Sequence, residues 1–330
     1  MTMTDLEMSK EVAVRQLDLS RQIRWAFPTS MGRPVGWDVP ESSVQHMIQL
    51  KPGFVDAAGF FVHVNALREA TELAANSWRL WVLSRDDENG QQFLNKVLDT
   101  ELQDSSRFRS LALYGDSLMA FRRGRLEESK RRSLDALKAA EHVRDPEALG
   151  LANLALSRVS FETEDYELAK VQAINARNIL AQLPFPYGQA PLFMHAESER
   201  MLRDYERAST LFEQSLALNR QLEDRGMVIA ELTNLGRVEI HRGNVATAEK
   251  CFDEAEQLAG TPNQFDMAMD FLNKATLATL KGDNATAASF LEKCETTMKD
   301  SKIELGPDDK FDLDWTRQRI IEAKRHQTSS

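Results

Sequence analysis

The chain has 330 residues, of which 42% are apolar and 28% charged, with a formal net charge of −10. That balance describes a folded chain and excludes the disordered and fibrous classes. No apolar run reaches the ~18 residues a membrane-spanning helix needs, and the negative charge opposes binding to a phosphate backbone. The N-terminus, M-T-M-T-D-L-E-M-S-K-E, carries acids where a secretory signal needs bases and an apolar stretch, so a cytoplasmic location is expected.

In chain order, a weakly amphipathic helix is expected over residues 4–24. Residues 25–40 (W-A-F-P-T-S-M-G-R-P-V-G-W-D-V-P) hold three prolines, two glycines, two tryptophans and a phenylalanine. The prolines preclude a continuous helix, and aromatics this dense need a surface to pack on. The segment is expected to cap the first repeat, to lie in a groove, or to meet a partner. A short helix over 42–50 and a more apolar one from Val55 come next, with the boundary to the helix holding Trp78 left open.

From there a tight turn recurs. R-G-R-L, T-E-D-Y, L-R-D-Y, R-G-N-V and K-G-D-N are anchored at Gly124, Glu164, Arg203, Gly243 and Gly282, at intervals of 40, 39, 40 and 39 residues. A less regular version, R-D-D-E-N-G, has its anchor at Asp86. Small residues stand in register with the turns: Ser117, Ser157, Ala196, Gly236 and Ala275 seven positions before; Ser129, Ala169, Ala208, Ala248 and Ala287 five after; Ala136, Ala176, Ser215, Ala255 and Cys294 twelve after. Fixed recurrence predicts stacked helical hairpins, and small residues at facing positions are what two helices need to approach closely. The last segment, from Pro307, reads as a helix with Phe311, Trp315 and Ile321 on its apolar side.

These residues resemble tetratricopeptide (TPR) repeats over roughly residues 68–325. The closest copy runs from Leu232 to Ala255 and carries Leu232, the Leu235–Gly236 pair, Ala248, Phe252 and Ala255, whereas Asp116–Ser117 and His195–Ala196 replace the Leu–Gly pair elsewhere. The stretch Trp78 to Leu98 is similar to the start of the C-terminal sensor arms of bacterial STAND-type and LuxR-type regulators. The resemblance implies an all-α, right-handed superhelical solenoid of about six repeats with a period of 39–40 residues. It divides the chain into an N-terminal helical cap (1–65), the repeats (66–305), a C-terminal capping helix (306–326) and a disordered tail (327–330). The period exceeds the family's usual ~34 residues, so either the helices or their connections must be longer.

The resemblance further implies a groove lined by the first helix of each repeat. Counting back from the anchors places Tyr114, Leu118, Arg122, Leu154, Arg158, Phe193, Glu197, Asn234, Arg237, His241 and Asn273 there. The result is an apolar portion followed by a polar one. Asn can pair with the backbone of an extended peptide, and Arg can clamp a carboxylate in bidentate fashion. The alternative for the charged members is pairing between neighbouring repeats, Arg158–Glu197–Arg237.

Chemistry-bearing motifs are missing. The histidines form no pair at the i,i+4 spacing of a helical metal site, and there is no H-E-x-x-H, C-x-x-C, nucleotide-binding P-loop or G-x-S-x-G elbow. Cys251 and Cys294 occupy non-equivalent repeat positions and read as reduced core residues. The basic segment Phe121–Arg132 is expected to be a solvated turn whose charges pair with Glu127 and Glu128, with an anion or partner site as the alternative. Asp86–Glu88 and Pro307–Lys310 read as acids at helix starts, where the helix dipole favours them. No catalytic residue, metal or cofactor is expected. The expectation is a non-catalytic scaffold that binds a protein or peptide in its groove; one form of it is a regulatory or sensor component acting through another chain. The alternative is a small-molecule-binding protein or enzyme using the same groove. Direct nucleic-acid and membrane contact are not expected, and the oligomeric state is left open.

Overall fold

A chain reversal falls about every 20 residues, and the residue at its apex is left-handed. In the computed structural model, which describes residues 8–31, 41–100, 105–184 and 187–328, all five turn anchors have positive φ: Gly124 70°, Glu164 63°, Arg203 66°, Gly243 81° and Gly282 78°. The residue after each apex donates its N–H to a carbonyl five residues before that residue, as in Arg125 to Ala120 (2.9 Å) and Asn244 to Glu239 (2.8 Å). This is the Schellman closure of a helix. The next helix then starts at once, with Asp165 and Asp283 accepting from the N–H groups of Leu168 and Thr286. The earliest of these turns is corrected by one position: its left-handed residue is Arg85 (φ 53°), not Asp86.

Left-handed residues also punctuate the connections between hairpins, at Arg144, Glu223 and Lys302, each 20 positions after an anchor. The long period is carried partly by helices of up to 18 residues and partly by connections, as between Leu258 and Gln264. The pairs, taken as first and second helix, are α7 (Arg107–Arg122) with α8 (Leu126–Val143), α9 (Pro146–Glu162) with α10 (Tyr166–Leu180), and α11 (Gln189–Met201) with α12 (Tyr205–Gln221). They continue with α13 (Arg225–His241) and α14 (Val245–Leu258), then α15 (Gln264–Leu280) and α16 (Asn284–Asp300). Ahead of them lie α1 (Lys10–Ala26), α2 (Glu41–Ile48), α3 (Lys51–His63), α4 (Leu67–Ser77), α5 (Arg79–Leu83) and α6 (Asp87–Leu98); α17 (Pro307–Thr328) comes last. The open boundary before Trp78 resolves into a reversal at Asn65 (φ 58°). Helix α17 runs to Thr328, past the expected start of the tail, whose last residues, 329–330, lie outside the described ones.

Every one of the fifteen small residues in register is buried. Their purpose is visible where the helices touch: the Ser129 hydroxyl donates to the carbonyl of Ser117 (2.9 Å), and that of Ser157 to the carbonyl of Ala169 (2.8 Å). At Gly236 a Cβ would stand 2.5 Å from the Phe252 ring, so only glycine admits that ring.

Two compact units emerge. The first comprises Met1–Met194 and Leu222–Asp224; the second comprises His195–Gln221 and Arg225–Ser330. In the first, α1 packs on α3, α4 and α5, and α4 and α9 both pack on α7. Helix α1 buries Ala13, Leu17 and Ile23 on one side. In the second, α17 packs against both helices of the last hairpin, burying Leu313 against Ala268, Met269, Leu272 and Cys294, and Ile320 against Ala278 and Ala287.

Candidate functional site

In each unit the first-helix face carries the expected side chains, and a segment of the chain itself lies across it. In the first unit that segment is the turn after α1. Phe27 is buried and its carbonyl accepts from Arg79 Nε (2.9 Å), while the carbonyl of Ser30 accepts from the Tyr114 hydroxyl (2.6 Å). Arg158 Nη1 donates to the same Tyr114 oxygen (3.0 Å), and Trp78 meets the Tyr114 ring edge-on at 5.9 Å. Arg79 is buried over the Trp78 ring, and burial holds its guanidinium below the usual range. A second anchor is Glu147 at the start of α9, which receives Arg24, Arg107 and the buried Tyr187 hydroxyl (2.7 Å). Burial pushes the Tyr187 phenol up. Phe27 and Ser30 of the aromatic-rich segment thus pack against Arg79 and Tyr114, while Trp25 is 67% exposed; residues 32–40 fall outside the described ones.

In the second unit the segment is the N-terminal part of α17. Arg200, with no exposed surface, is gripped by Glu197 (2.9 Å), Asp312 (3.1 Å) and Asp308 (3.5 Å). Arg237 binds Asp309 (2.7 Å) and Asp312 (3.3 Å), and its Nε donates to Asn273 (3.4 Å). His241 stacks on Tyr205 at 4.6 Å, meets Trp315 edge-on at 5.0 Å and lies 5.5 Å from Phe311. Burial pushes the Asp312 carboxyl up, but Arg200 and Arg237 outweigh it and hold the group at about 2. Burial wins at Glu197, whose carboxyl rises to about 7. A cavity of about 10 Å³, room for one water, remains between Arg237, His241, Asn273, Thr276, Asp312, Trp315 and Thr316.

The expected groove positions thus divide. Tyr114, Arg158, Arg237, His241 and Asn273 stand on first helices and make the contacts above. Leu118 and Leu154 are 1% and 0% exposed and belong to the core. Arg122 pairs at the helix end with Asp87 (3.0 Å), Phe193 is half-buried, and Asn234 is buried on α13. The Arg158–Glu197–Arg237 ladder is replaced by other partners: Tyr114 for Arg158, Arg200 for Glu197, and the acids of α17 for Arg237. Register singles out none of Arg79, Glu147, Arg200 and Asp312, since nothing local marks them and their partners lie far along the chain. The basic segment is also corrected. Only Arg125 pairs with Glu128 (3.4 Å), whereas Arg122, Arg123 and Arg132 reach Asp87, Glu88 and Asp99 of the preceding hairpin, and Arg132 also reaches the buried Asp116 (2.7 Å). Both cysteines are free and buried, with thiols that burial pushes up to about 11.

Among the described residues no group of three His, Cys, Asp or Glu could hold a metal, and no helix is long and apolar enough to cross a membrane. No family model matches the chain, and no curated protein matches it in sequence. Similar folds occur among solved structures. A Rap protein complexed with competence and sporulation factor is 15% identical at a TM-score of 0.61, covering 98% of this chain and 91% of that one. The apo form of RapI is 12% identical at 0.59, covering 79% and 95%. The APC/C hetero-tetramer Cut9–Hcn1 is 12% identical at 0.58, covering 92% and 52%. At such identities the likeness establishes the fold alone: the chain is an α-solenoid of TPR-type helical hairpins.

Proposed function

We propose that the chain is a non-catalytic scaffold that binds protein or peptide segments along its first-helix faces. One observation carries the reading. Arg79 and Tyr114 already hold the backbone carbonyls of Phe27 and Ser30, the contacts by which a groove recognises an extended peptide without reading its side chains. The similar Rap protein, seen with competence and sporulation factor, supports the same use of such a fold. The binding residues proposed are those of the two faces, Tyr114, Arg158, Asn234, Arg237, His241 and Asn273, with Phe193 as an apolar neighbour. A regulatory or sensor role rests on the likeness of Trp78–Leu98 to bacterial sensor arms, a stretch that spans α5 and α6. It would require a second chain for output. A small-molecule or enzymatic use of the groove ranks behind, since the cavity at the second face has room for one water.

The test is selection of peptides from a random display library on the immobilised full chain. Selected peptides are expected to lose affinity by about tenfold, or ~1.4 kcal/mol, in Arg158→Ala or Asn234→Ala chains of unchanged melting temperature. A chain that selects no peptide, or only peptides indifferent to both changes, sinks the scaffold reading.

A further inference from the structure

We propose that the face formed in the second unit by residues 195–201 of α11 with α13 and α15 is a docking surface for an acidic, aromatic amphipathic helix of a partner protein, and that the first turns of α17 hold its place in cis. The proposal deepens the scaffold reading and rests on it.

A helix that merely caps a solenoid packs on the last hairpin, and α17 does so through Leu313 and Ile320. The acids of its first turns do something else. Asp308, Asp309 and Asp312 reach back past α15 to Arg237 on α13 and Arg200 on α11, the last pairing spanning 112 positions in sequence. Acids at 308, 309 and 312 and aromatics at 311 and 315 project from successive turns of one helix, giving the pattern D-D-x-F-D-x-x-W. The receptor matches it element by element: two guanidinium groups for the carboxylates, and His241 with Tyr205 for the aromatic rings.

The face requires such an occupant. Arg200 and Arg237 are 0% and 5% exposed, and a buried guanidinium without an anion is strongly unfavourable. A competitor must therefore bring carboxylates at the same spacing. The internal occupant nonetheless leaves the face incompletely satisfied: Glu197 Oε1, beside Arg200, is buried without a hydrogen-bond partner, and the small cavity lies against Asp312 and Trp315. The interface combines these ion pairs and ring contacts with the apolar burial of Leu313 and is tethered by the short connection at residues 301–306, so only a helix that supplies both kinds of contact can replace it. The tether gives α17 an effective concentration of order millimolar, so a helix arriving from outside binds weakly until α17 is loosened.

The probe is a fluorescein-labelled peptide with the sequence of residues 307–328, titrated into the full wild-type chain and the full Asp309→Asn/Asp312→Asn chain. The peptide is expected to bind the double variant at least about tenfold more tightly than wild type. A peptide with Asn in place of all three acids is expected to bind about tenfold more weakly than the unaltered one. If the double variant does not fold, Trp315→Ala loosens the same helix by an uncharged route and takes its place. In the wild-type chain, excess peptide should speed hydrogen exchange within α17 alone. The proposal is overturned if a folded variant fails to bind the peptide, or if binding is unchanged when Arg237→Ala is added. It is equally overturned if the variant pairs with a second copy by exchanging α17. Any of these results leaves library peptides that depend on Arg158 untouched, so the scaffold reading stands or falls separately.

Discussion

Two glycines separate the two reasons this chain needs them. Gly282 has φ 78° with nothing near its absent Cβ, so Gly282→Ala suffers only left-handed strain, about 1–2 kcal/mol. Gly236 is helical, and a Cβ there would overlap the Phe252 ring, so Gly236→Ala should cost about 1–3 kcal/mol through overpacking. Urea denaturation distinguishes them: adding Phe252→Leu should recover part of the Gly236→Ala loss and none of the Gly282→Ala loss. Glu231 offers a prediction of opposite kind. It is fully buried, accepts from Ser215 and Asn219, and its other oxygen has no hydrogen-bond partner. Burial pushes its carboxyl well above the ordinary 4.5. A raised folded-state value means stability is complete below the unfolded value and is lost as pH rises through the folded one. Melting temperatures taken from about pH 5 to about pH 8 should therefore fall less in Glu231→Gln than in the wild type; parallel curves would contradict the burial argument.

At the scale of the element, α17 is held in part by charge. Asp312→Ala leaves Arg200 and Arg237 short of a shared carboxylate, and breaking a buried pair this way costs about 3–5 kcal/mol. Asp314→Ala, two positions along, removes only an exposed pair with Arg317 and should cost no more than about 1 kcal/mol. Chemical denaturation of the two variants compares them directly, and equal losses would remove the charge clamp as an explanation. The signs of the pH dependence also differ within the clamp. Asp312, held at about 2, contributes stability that is present above the ordinary carboxylate range and lost as pH falls through about 2. Glu197, raised to about 7, contributes in the opposite sense, and its share is lost as pH rises through about 7.

For the molecule as a whole, hairpins within each unit pack on their neighbours in sequence, as α8 on α9 and α14 on α15, so opening should be local and graded rather than uniform. Hydrogen exchange should be slowest in the interiors of α7 and α9, which are buried almost throughout. It should be faster in α1 and α17, whose outer faces are solvated. Uniform protection across all helices would indicate a single cooperative unit instead.

Much of this architecture is legible in the sequence because it is local. A left-handed residue closes a helix within six positions, an adjoining Asp opens the next at Asp165, Asp204 and Asp283, and small residues at fixed offsets permit the hairpin to close. Gly124, Glu164, Arg203, Gly243 and Gly282 therefore announce the repeat before any contact is known. Even the error at Asp86 is one position, because R-D-D-E-N-G offers several polar residues suited to a turn and only the backbone selects Arg85. Tyr114, Arg158, Arg237 and His241 are among the groove positions that the resemblance implies, and each stands on the first helix of a hairpin. What packs on them is not legible there. Phe27 meets Arg79 across 52 positions, and Asp312 meets Arg200 across 112. Periodicity carries no information about which distant segment satisfies a buried guanidinium. By itself the sequence determined the turns and the hairpins, since each depends on residues within one repeat. Only the tertiary structure decided that the N-terminal turn and α17 pack on the first helices, because desolvated Arg79, Arg200 and Arg237 must find acceptors wherever the folded chain brings them.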